Sequence, residues 1–121
     1  MLSSILSTIG VTIQNKLNND VDIPAILEFF SNYRKNMWIY PGVLKRRFEL
    51  ELSEVYKILS ELEEQGILKS YYELYCSHCQ KSMGTVEVFN ELPETFVCEL
   101  CHDELPAIEN AVLVYKVIRD E

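Results

Sequence analysis

The chain has 121 residues, a hydrophobic content of 48% and a formal net charge of −8. This hydrophobic content is enough for one packed domain, and it excludes a disordered chain. The sequence has no apolar run near the roughly 20 residues that a membrane-spanning helix needs, and its N-terminus lacks the basic start of a signal peptide. We therefore expect a cytoplasmic protein, in a reducing compartment where stable disulfides are rare.

The first predicted helix lies at the N-terminus. Its apolar residues recur at helical spacing and form one stripe: Leu2, Ile5, Leu6, Ile9, Ile13 and Leu17. Such a stripe is costly to leave in water, so it covers the core of its own domain, pairs with the same helix of a second chain, or docks on a partner. We favour the second alternative, because small Ser and Thr residues beside the stripe permit close helix packing. This predicts a homodimer through the N-terminal helix.

Two short helices are predicted next. Asp22 caps the first, which has Pro24 in its first turn. The apolar stripe of this helix consists of Ile26, Leu27, Phe30 and Tyr33. The second short helix begins at Pro41, and we expect it to bury Val43, Leu44 and Phe48.

The clearest helical pattern follows. Ser53 is its predicted cap, and Gly66 is the residue at which it stops. The predicted core face consists of Val55, Ile58, Leu59 and Leu62. Beyond this helix, residues 69–75 and 111–118 are rich in aromatic or β-branched residues, which predicts two strands.

All four cysteines lie between these two predicted strands. They form two Cys-x-x-Cys pairs with eighteen residues between them: Cys76, Cys79, Cys98 and Cys101. Each pair forms a tight turn that presents two sulfurs to one ion, and this spacing is typical of a structural Zn²⁺ site. A redox pair, two disulfides and another metal are the alternatives. A redox pair would open a helix, and no helical periodicity follows the first pair.

Two histidines lie beside the cysteines. Four thiolates already complete a tetrahedron, so we interpret His78 and His102 as exposed residues rather than ligands. A catalytic zinc keeps an open position, which a site closed by four cysteines lacks. Zinc ribbons usually have Gly directly after each pair, where the turn needs a positive φ angle. Gln80 and His102 stand there instead, which leaves the geometry of both turns open.

The order of these elements resembles the winged-helix branch of the helix-turn-helix domains. The resemblance lies in "VLKRRFELELSEVYKILSELEEQGILKSYYELY" and covers about residues 23–75, with residues 111–118 as the second strand of the wing. It implies an α+β fold, a winged helix-turn-helix with a zinc-ribbon insertion at the wing. The implied domains are residues 1–75 plus 111–121, with an extra N-terminal helix, and the insertion 76–110. A generic helical hairpin with a β ribbon is the alternative.

A winged helix followed by a four-cysteine ribbon is also similar in architecture to transcription factor E. In that family the winged helix works largely by contacting polymerase and other proteins. The ribbon of the present chain returns to the wing instead of trailing behind it, so the similarity concerns architecture and not membership.

The distribution of charge favours protein binding over DNA binding. Residues 71–121 have three Lys/Arg against ten Asp/Glu, whereas residues 1–70 have eight against nine. A winged helix that binds DNA places its third helix in the major groove and its wing against phosphates. In this chain the predicted wing lies in the acidic residues 71–121, which would repel phosphates. The residues best placed to contact nucleic acid or a partner are Lys45, Arg46, Arg47, Lys57 and Ser60.

Three classes of function therefore compete. We predict a non-enzymatic, zinc-stabilised winged-helix protein that acts as an interaction, adaptor or regulatory subunit of a larger complex, for example in transcription or phage defence. A DNA-binding transcriptional regulator that uses the third helix and the basic residues 45–47 is the alternative. An enzyme is disfavoured, because the sequence has no Gly-rich phosphate loop and no Ser or Cys nucleophile with a plausible base.

Overall fold

The computed structural model describes residues 3–16, 21–88 and 92–119. Its elements are α1 (Ser3–Lys16), α2 (Ile23–Ser31), β1 (Trp38–Ile39), α3 (Pro41–Phe48), α4 (Leu52–Glu64), β2 (Leu68–Cys76), β3 (Lys81–Glu87), β4 (Thr95–Val97), β5 (Glu104–Pro106), a 3₁₀ turn (Ile108–Asn110) and β6 (Ala111–Val117). The predicted α+β class is confirmed. None of the helices in these ranges is long and apolar enough to cross a membrane.

The strands form two sheets. The larger sheet has the order β1-β6-β2-β3, and the smaller one pairs β4 with β5 in antiparallel fashion. The two strands predicted from the sequence, β2 and β6, are therefore neighbours. The strand β3 pairs with β2 in antiparallel fashion and extends the larger sheet at one edge.

The chain divides into two compact units. Residues 1–69 together with 115–121 form one unit, which we call the helical unit. Residues 70–114 form the other, which we call the cysteine unit because it contains all four cysteines.

In the helical unit, α4 supplies the centre of the core. Its predicted core face is confirmed, since Val55, Ile58, Leu59 and Leu62 are fully buried. Gly66 follows the helix with a φ of 78°, as a C-terminal stop requires. The predicted cap at Ser53 is wrong, because the N-cap is Glu51. The Glu54 carboxylate accepts a hydrogen bond from the Glu51 backbone N–H at 3.0 Å. The cap therefore lies two residues before the predicted one.

The helix α1 packs against α2 and α4 of the same unit. Ile5, Ile9 and Ile13 are buried there, while Leu2 and Leu17 lie outside the described residues. Gly10 faces Leu27 of α2, and a Cβ at this position would make an ordinary contact, 3.5 Å from Leu27 Cδ1. Of the described stripe residues, Ile5, Ile9 and Ile13 are thus buried within their own chain, and Leu6 is half-buried. The homodimer through the N-terminal helix stays a prediction. It was argued from an apolar stripe left exposed by the chain, and three residues of that stripe are buried.

The helices α2 and α3 agree with the predicted starts but bury partly different residues. The Asp22 carboxylate accepts a hydrogen bond from the Ala25 backbone N–H at 3.1 Å, which confirms the predicted cap. Phe29 is buried although the predicted stripe omitted it. In α3, Leu44 is buried as expected, whereas Val43 and Phe48 are only half-buried. An eight-residue helix covers too little surface to bury three large side chains completely.

Candidate metal centre

Each cysteine pair lies in a tight turn that connects two antiparallel strands. Cys76 ends β2, and Cys79 lies in the turn that leads to β3. Cys98 directly follows β4, and Cys101 lies in the turn that leads to β5. The two turns thus occupy equivalent positions in two hairpins, β2–β3 and β4–β5.

The two turns bring the four sulfurs together. All four Sγ atoms lie within 4.8 Å of one another. Two of the distances join one cysteine from each pair, 3.6 Å between Cys76 and Cys101 and 3.9 Å between Cys79 and Cys98. Four Zn–S bonds of about 2.3 Å in a tetrahedron place the sulfurs about 3.8 Å apart. The arrangement therefore fits one tetrahedral ion, and all four cysteines are free thiols rather than disulfides.

The backbone adopts the same turn at both pairs, although neither has glycine. Gln80 and His102 have φ angles of 55° and 62°, in the left-handed region. The Gln80 N–H donates to the Cys76 carbonyl at 2.7 Å, and the His102 N–H donates to the Cys98 carbonyl at 2.9 Å. The structure thus settles what the missing glycines left open. Non-glycine residues take the left-handed position in both turns.

Backbone N–H groups point at the sulfurs. The Cys79 N–H donates to Cys76 Sγ at 3.4 Å, and the N–H groups of Leu100 and Cys101 donate to Cys98 Sγ at 3.3 and 3.5 Å. The hydrogen bond from Cys101, helped by that from Leu100, outweighs burial and lowers the pKa of Cys98 to about 6. Hydrogen bonds of this kind favour the thiolate, which is the form that binds metal.

The four sulfurs cannot all ionise without a cation. The Asp103 backbone N–H lowers the pKa of Cys101, but burial and the sulfurs of Cys98, Cys76 and Cys79 outweigh it and raise this pKa to about 12. Negative charges this close disfavour one another. A bound divalent cation reverses this effect and deprotonates coordinating thiols. The donor set is therefore suited to a metal ion and poorly suited to four free thiols.

An apolar shell surrounds the sulfurs. Cys76, Cys98 and Leu105 are buried together, with Met83 and Phe96 packed against them. Phe96 and Leu105 are directly opposite each other in the β4–β5 pair, so both side chains lie on the same face of this hairpin. A shell of this kind limits the access of water to a metal site.

Neither histidine belongs to the sulfur group. Within the described ranges the group consists of the four cysteines alone. His78 Nε2 lies 3.7 Å from Asp103 Oδ2, and both side chains are largely exposed. This contact links the two turns at the surface, while His102 is exposed as expected.

The predicted contact residues lie elsewhere, in the helical unit. Lys45, Arg46 and Arg47 are exposed in the last turn of α3. The Arg47 guanidinium lies 5.5 Å from the centre of the Phe29 ring and 5.9 Å from that of Phe48. Lys57 and Ser60 are exposed on α4, where both line a groove of about 370 Å³ beside α1.

One feature of the cysteine unit was not predicted from the sequence, namely its exposed apolar side chains. Val97 and Leu100 are 58% and 62% exposed. The alternation of side chains along β4 was the available signal, because Val97 must face away from the side on which Phe96 covers the sulfurs.

No family model, curated protein or solved structure matches the chain.

Proposed function

We propose that Cys76, Cys79, Cys98 and Cys101 hold one structural Zn²⁺. The proposal is supported by the tetrahedral separation of the sulfurs and by the N–H groups that point at them. Thiolate ligands favour zinc over the hard cations Mg²⁺ and Ca²⁺. Four protein ligands leave no open position, so the ion would stabilise the unit and perform no chemistry.

The fold that fits this site best is a winged helix with a zinc-binding insertion at the wing. The helix order α2, α3, α4 precedes the two strands β2 and β6, which are neighbours in the sheet. The cysteines lie in the segment that connects these two strands. This arrangement supports the winged-helix proposal and the similarity in architecture to transcription factor E.

The function we propose is that of a non-enzymatic interaction or adaptor subunit in a larger complex. One observation carries it, the surface of the cysteine unit. Residues 70–114 contain one lysine and eight Asp and Glu residues. Because of this negative charge, the unit repels nucleic acid phosphates. Exposed apolar side chains within such a polar surface are typical of a protein-binding site.

The pairing of β4 with β5 defines this surface more closely. Thr95 lies opposite Pro106 and Val97 lies opposite Glu104. Because the side chains of Phe96 and Leu105 face the sulfurs, these four residues share the other side of the hairpin. We call Thr95, Val97, Glu104 and Pro106 the hairpin face, and all four are exposed. Leu100 lies in the turn that joins the two strands.

Affinity purification from the native host tests this function. A tagged wild-type chain is compared with a Val97→Asp/Leu100→Asp variant, and Val11→Asp is the matched control because Val11 in α1 is 57% exposed. We expect the wild type and the control to retain the same few proteins, which the double variant loses while it keeps its zinc. Retention of the same proteins by the double variant would contradict the proposed site.

A DNA-binding regulator is the second candidate. The observation that favours it is the exposure of Lys45, Arg46 and Arg47 in the last turn of α3, with Lys57 and Ser60 exposed on α4. Lysine and arginine side chains contact phosphates, and an α helix can enter the major groove. However, Glu64 is exposed on α4 together with Lys57, which weakens this helix as a surface for DNA.

A further inference from the structure

The helical unit has an exposed basic surface that the proposed function does not use. From residue 29 to residue 48 the sequence has five Lys and Arg residues and no Asp or Glu. All five side chains are exposed, and we call them the basic face: Arg34, Lys35, Lys45, Arg46 and Arg47.

Aromatic contacts bring the two parts of the basic face together. The Phe29 ring lies 5.1 Å from the Tyr33 ring and 5.8 Å from the Phe48 ring. Tyr33 directly precedes Arg34 and Lys35, and Phe48 directly follows Arg47. The Arg47 guanidinium lies over the same Phe29 ring, at 5.5 Å. The end of α2 and the end of α3 thus present their cations around one aromatic cluster, with Tyr33 and Phe48 half-buried.

Two cations of the basic face have no local counter-charge among the described residues, since neither Lys45 nor Arg46 forms an ion pair there. Placed in the last turn of α3, they face the negative end of the helix dipole, which stabilises them only weakly at an exposed position. These two cations therefore remain available for an external group of negative charge.

The cysteine unit has the opposite charge. Residues 82–115 contain no Lys or Arg and seven Asp and Glu residues. Glu94, Glu99 and Asp103 are exposed around the hairpin face, which itself includes Glu104. The exposed apolar residues Val97 and Leu100 lie among these acids. Both surfaces thus combine charge of a single sign with apolar or aromatic side chains.

We propose that the basic face of one copy binds the hairpin face of a second copy. Charge complementarity between the two surfaces is the argument, together with the apolar side chains that each contributes. A nucleic acid would instead have to approach a chain with a net charge of −8. The inference rests on the proposed function in one respect, because it makes the hairpin face a protein-binding site and names another copy as its occupant.

The contact joins different surfaces of the two copies. After the first contact one copy still has a free hairpin face and the other copy still has a free basic face, so further copies can add at both ends. Ion pairs at an exposed surface are individually weak and are screened by salt. The assembly is therefore reversible, depends on protein concentration and dissociates at high ionic strength.

Sedimentation velocity on the purified, zinc-loaded chain tests the proposal. The wild type is measured over a range of concentrations at about 50 mM and about 500 mM NaCl, where screening differs severalfold. We expect the sedimentation coefficient to rise with concentration at low salt and to stay at the monomer value at high salt. A wild type that remains monomeric at low salt would overturn the proposal.

Two charge-reversal variants identify the surfaces. Lys45→Glu/Arg46→Glu changes the basic face, and Glu94→Lys/Glu99→Lys changes the surroundings of the hairpin face. We expect each variant alone to be monomeric at low salt, and an equimolar mixture of the two to associate. Lys16→Glu/Arg119→Glu is the control, since it makes the same charge change as the first variant at exposed residues outside the basic face and should associate like the wild type. A mixture that stays monomeric would contradict the proposal.

The same variants also test whether the basic face binds nucleic acid instead of a second copy. A wild type that stays monomeric at low salt but binds a random DNA duplex, with the binding lost in Lys45→Glu/Arg46→Glu, would overturn the proposal and assign the basic face to nucleic acid. The affinity purification with the Val97→Asp/Leu100→Asp variant does not depend on self-association. Failure of the present inference is therefore distinguishable from failure of the proposed function.

Discussion

At the scale of single residues, the cysteine turns depend on two residues that are not themselves ligands. Gln80 and His102 have φ angles of 55° and 62°, a region that costs a non-glycine residue of order 1 kcal/mol. Both turns nevertheless direct their N–H groups at the sulfurs. The folded unit therefore stores a small strain at two equivalent positions, and a bound ion would offset it.

Glycine at the strained positions should stabilise the protein. We expect Gln80→Gly and His102→Gly each to raise the free energy of unfolding by up to about 1 kcal/mol, because glycine adopts a positive φ without a steric penalty. Denaturant titration at a fixed zinc concentration measures this. His78→Gly is the control, since His78 is exposed but is not among the described residues with positive φ, and it should not stabilise. Equal effects of His78→Gly and His102→Gly would contradict the interpretation.

Zinc content tests the ligand set directly. We expect about one zinc per chain, and its loss in Cys79→Ser and Cys101→Ser, because each removes one of four thiolates. His78→Ala and His102→Ala should keep the full zinc content. Acidification should release the metal, because protons compete with zinc for the thiolates. Elemental analysis and a chelating dye measure both effects, and a purified wild type without zinc would refute the site.

At the scale of elements, α1 shows how a sequence pattern leaves a choice of partner. The spacing of Ile5, Ile9 and Ile13 indicates a helix with an apolar side, and the structure places that side against α2 and α4. Gln65 Nε2 also donates to Thr12 Oγ1 at 3.2 Å, which connects α1 with the end of α4. The helix therefore belongs to the core of the helical unit.

Truncation of the α1 core should reduce stability. We expect Ile9→Ala to lower the free energy of unfolding by about 2–4 kcal/mol, because Ile9 is fully buried. Val11→Ala, on the exposed side of the same helix, should change it by less than about 0.5 kcal/mol. Thermal or denaturant unfolding measures the difference. A change of oligomeric state in Ile9→Ala without a loss of stability would instead place this stripe between two copies.

At the scale of the whole molecule, the two units differ in charge. The eight acids of residues 70–114 and the exposed cations of α3 lie in different units. Lysine and arginine supply most of the affinity of proteins for duplex DNA, and acidic residues oppose it. A protein partner is therefore the better match for the cysteine unit.

Binding to random duplex DNA should be weak near physiological salt. We expect no submicromolar affinity at about 0.15 M salt in fluorescence anisotropy, because the cysteine unit repels phosphates. A Glu94→Gln/Glu99→Gln variant is the matched probe of this repulsion and should bind slightly better. Submicromolar binding by the wild type would favour the regulator, and its loss on replacing Lys45, Arg46 and Arg47 by Glu would locate the contact.

Local sequence patterns were enough to predict the helix boundaries and one core face. The helix boundaries at Asp22, Pro41 and Gly66 follow from the backbone preferences of single residues, and the α4 core face follows from helical spacing. The Cys-x-x-Cys spacing likewise indicated two tight turns, each of which needs only short-range geometry. These features depend on interactions between residues a few positions apart.

Local sequence patterns did not predict which strands pair or which segment covers each apolar side of a helix. The pairing of β3 with β2 and the burial of α1 within the helical unit were not predicted. Each depends on the free energy gained when segments distant in sequence pack or pair, and that gain overrides local preference. An apolar stripe shows that a side will be buried, whereas the identity of the covering segment is a property of the assembled fold.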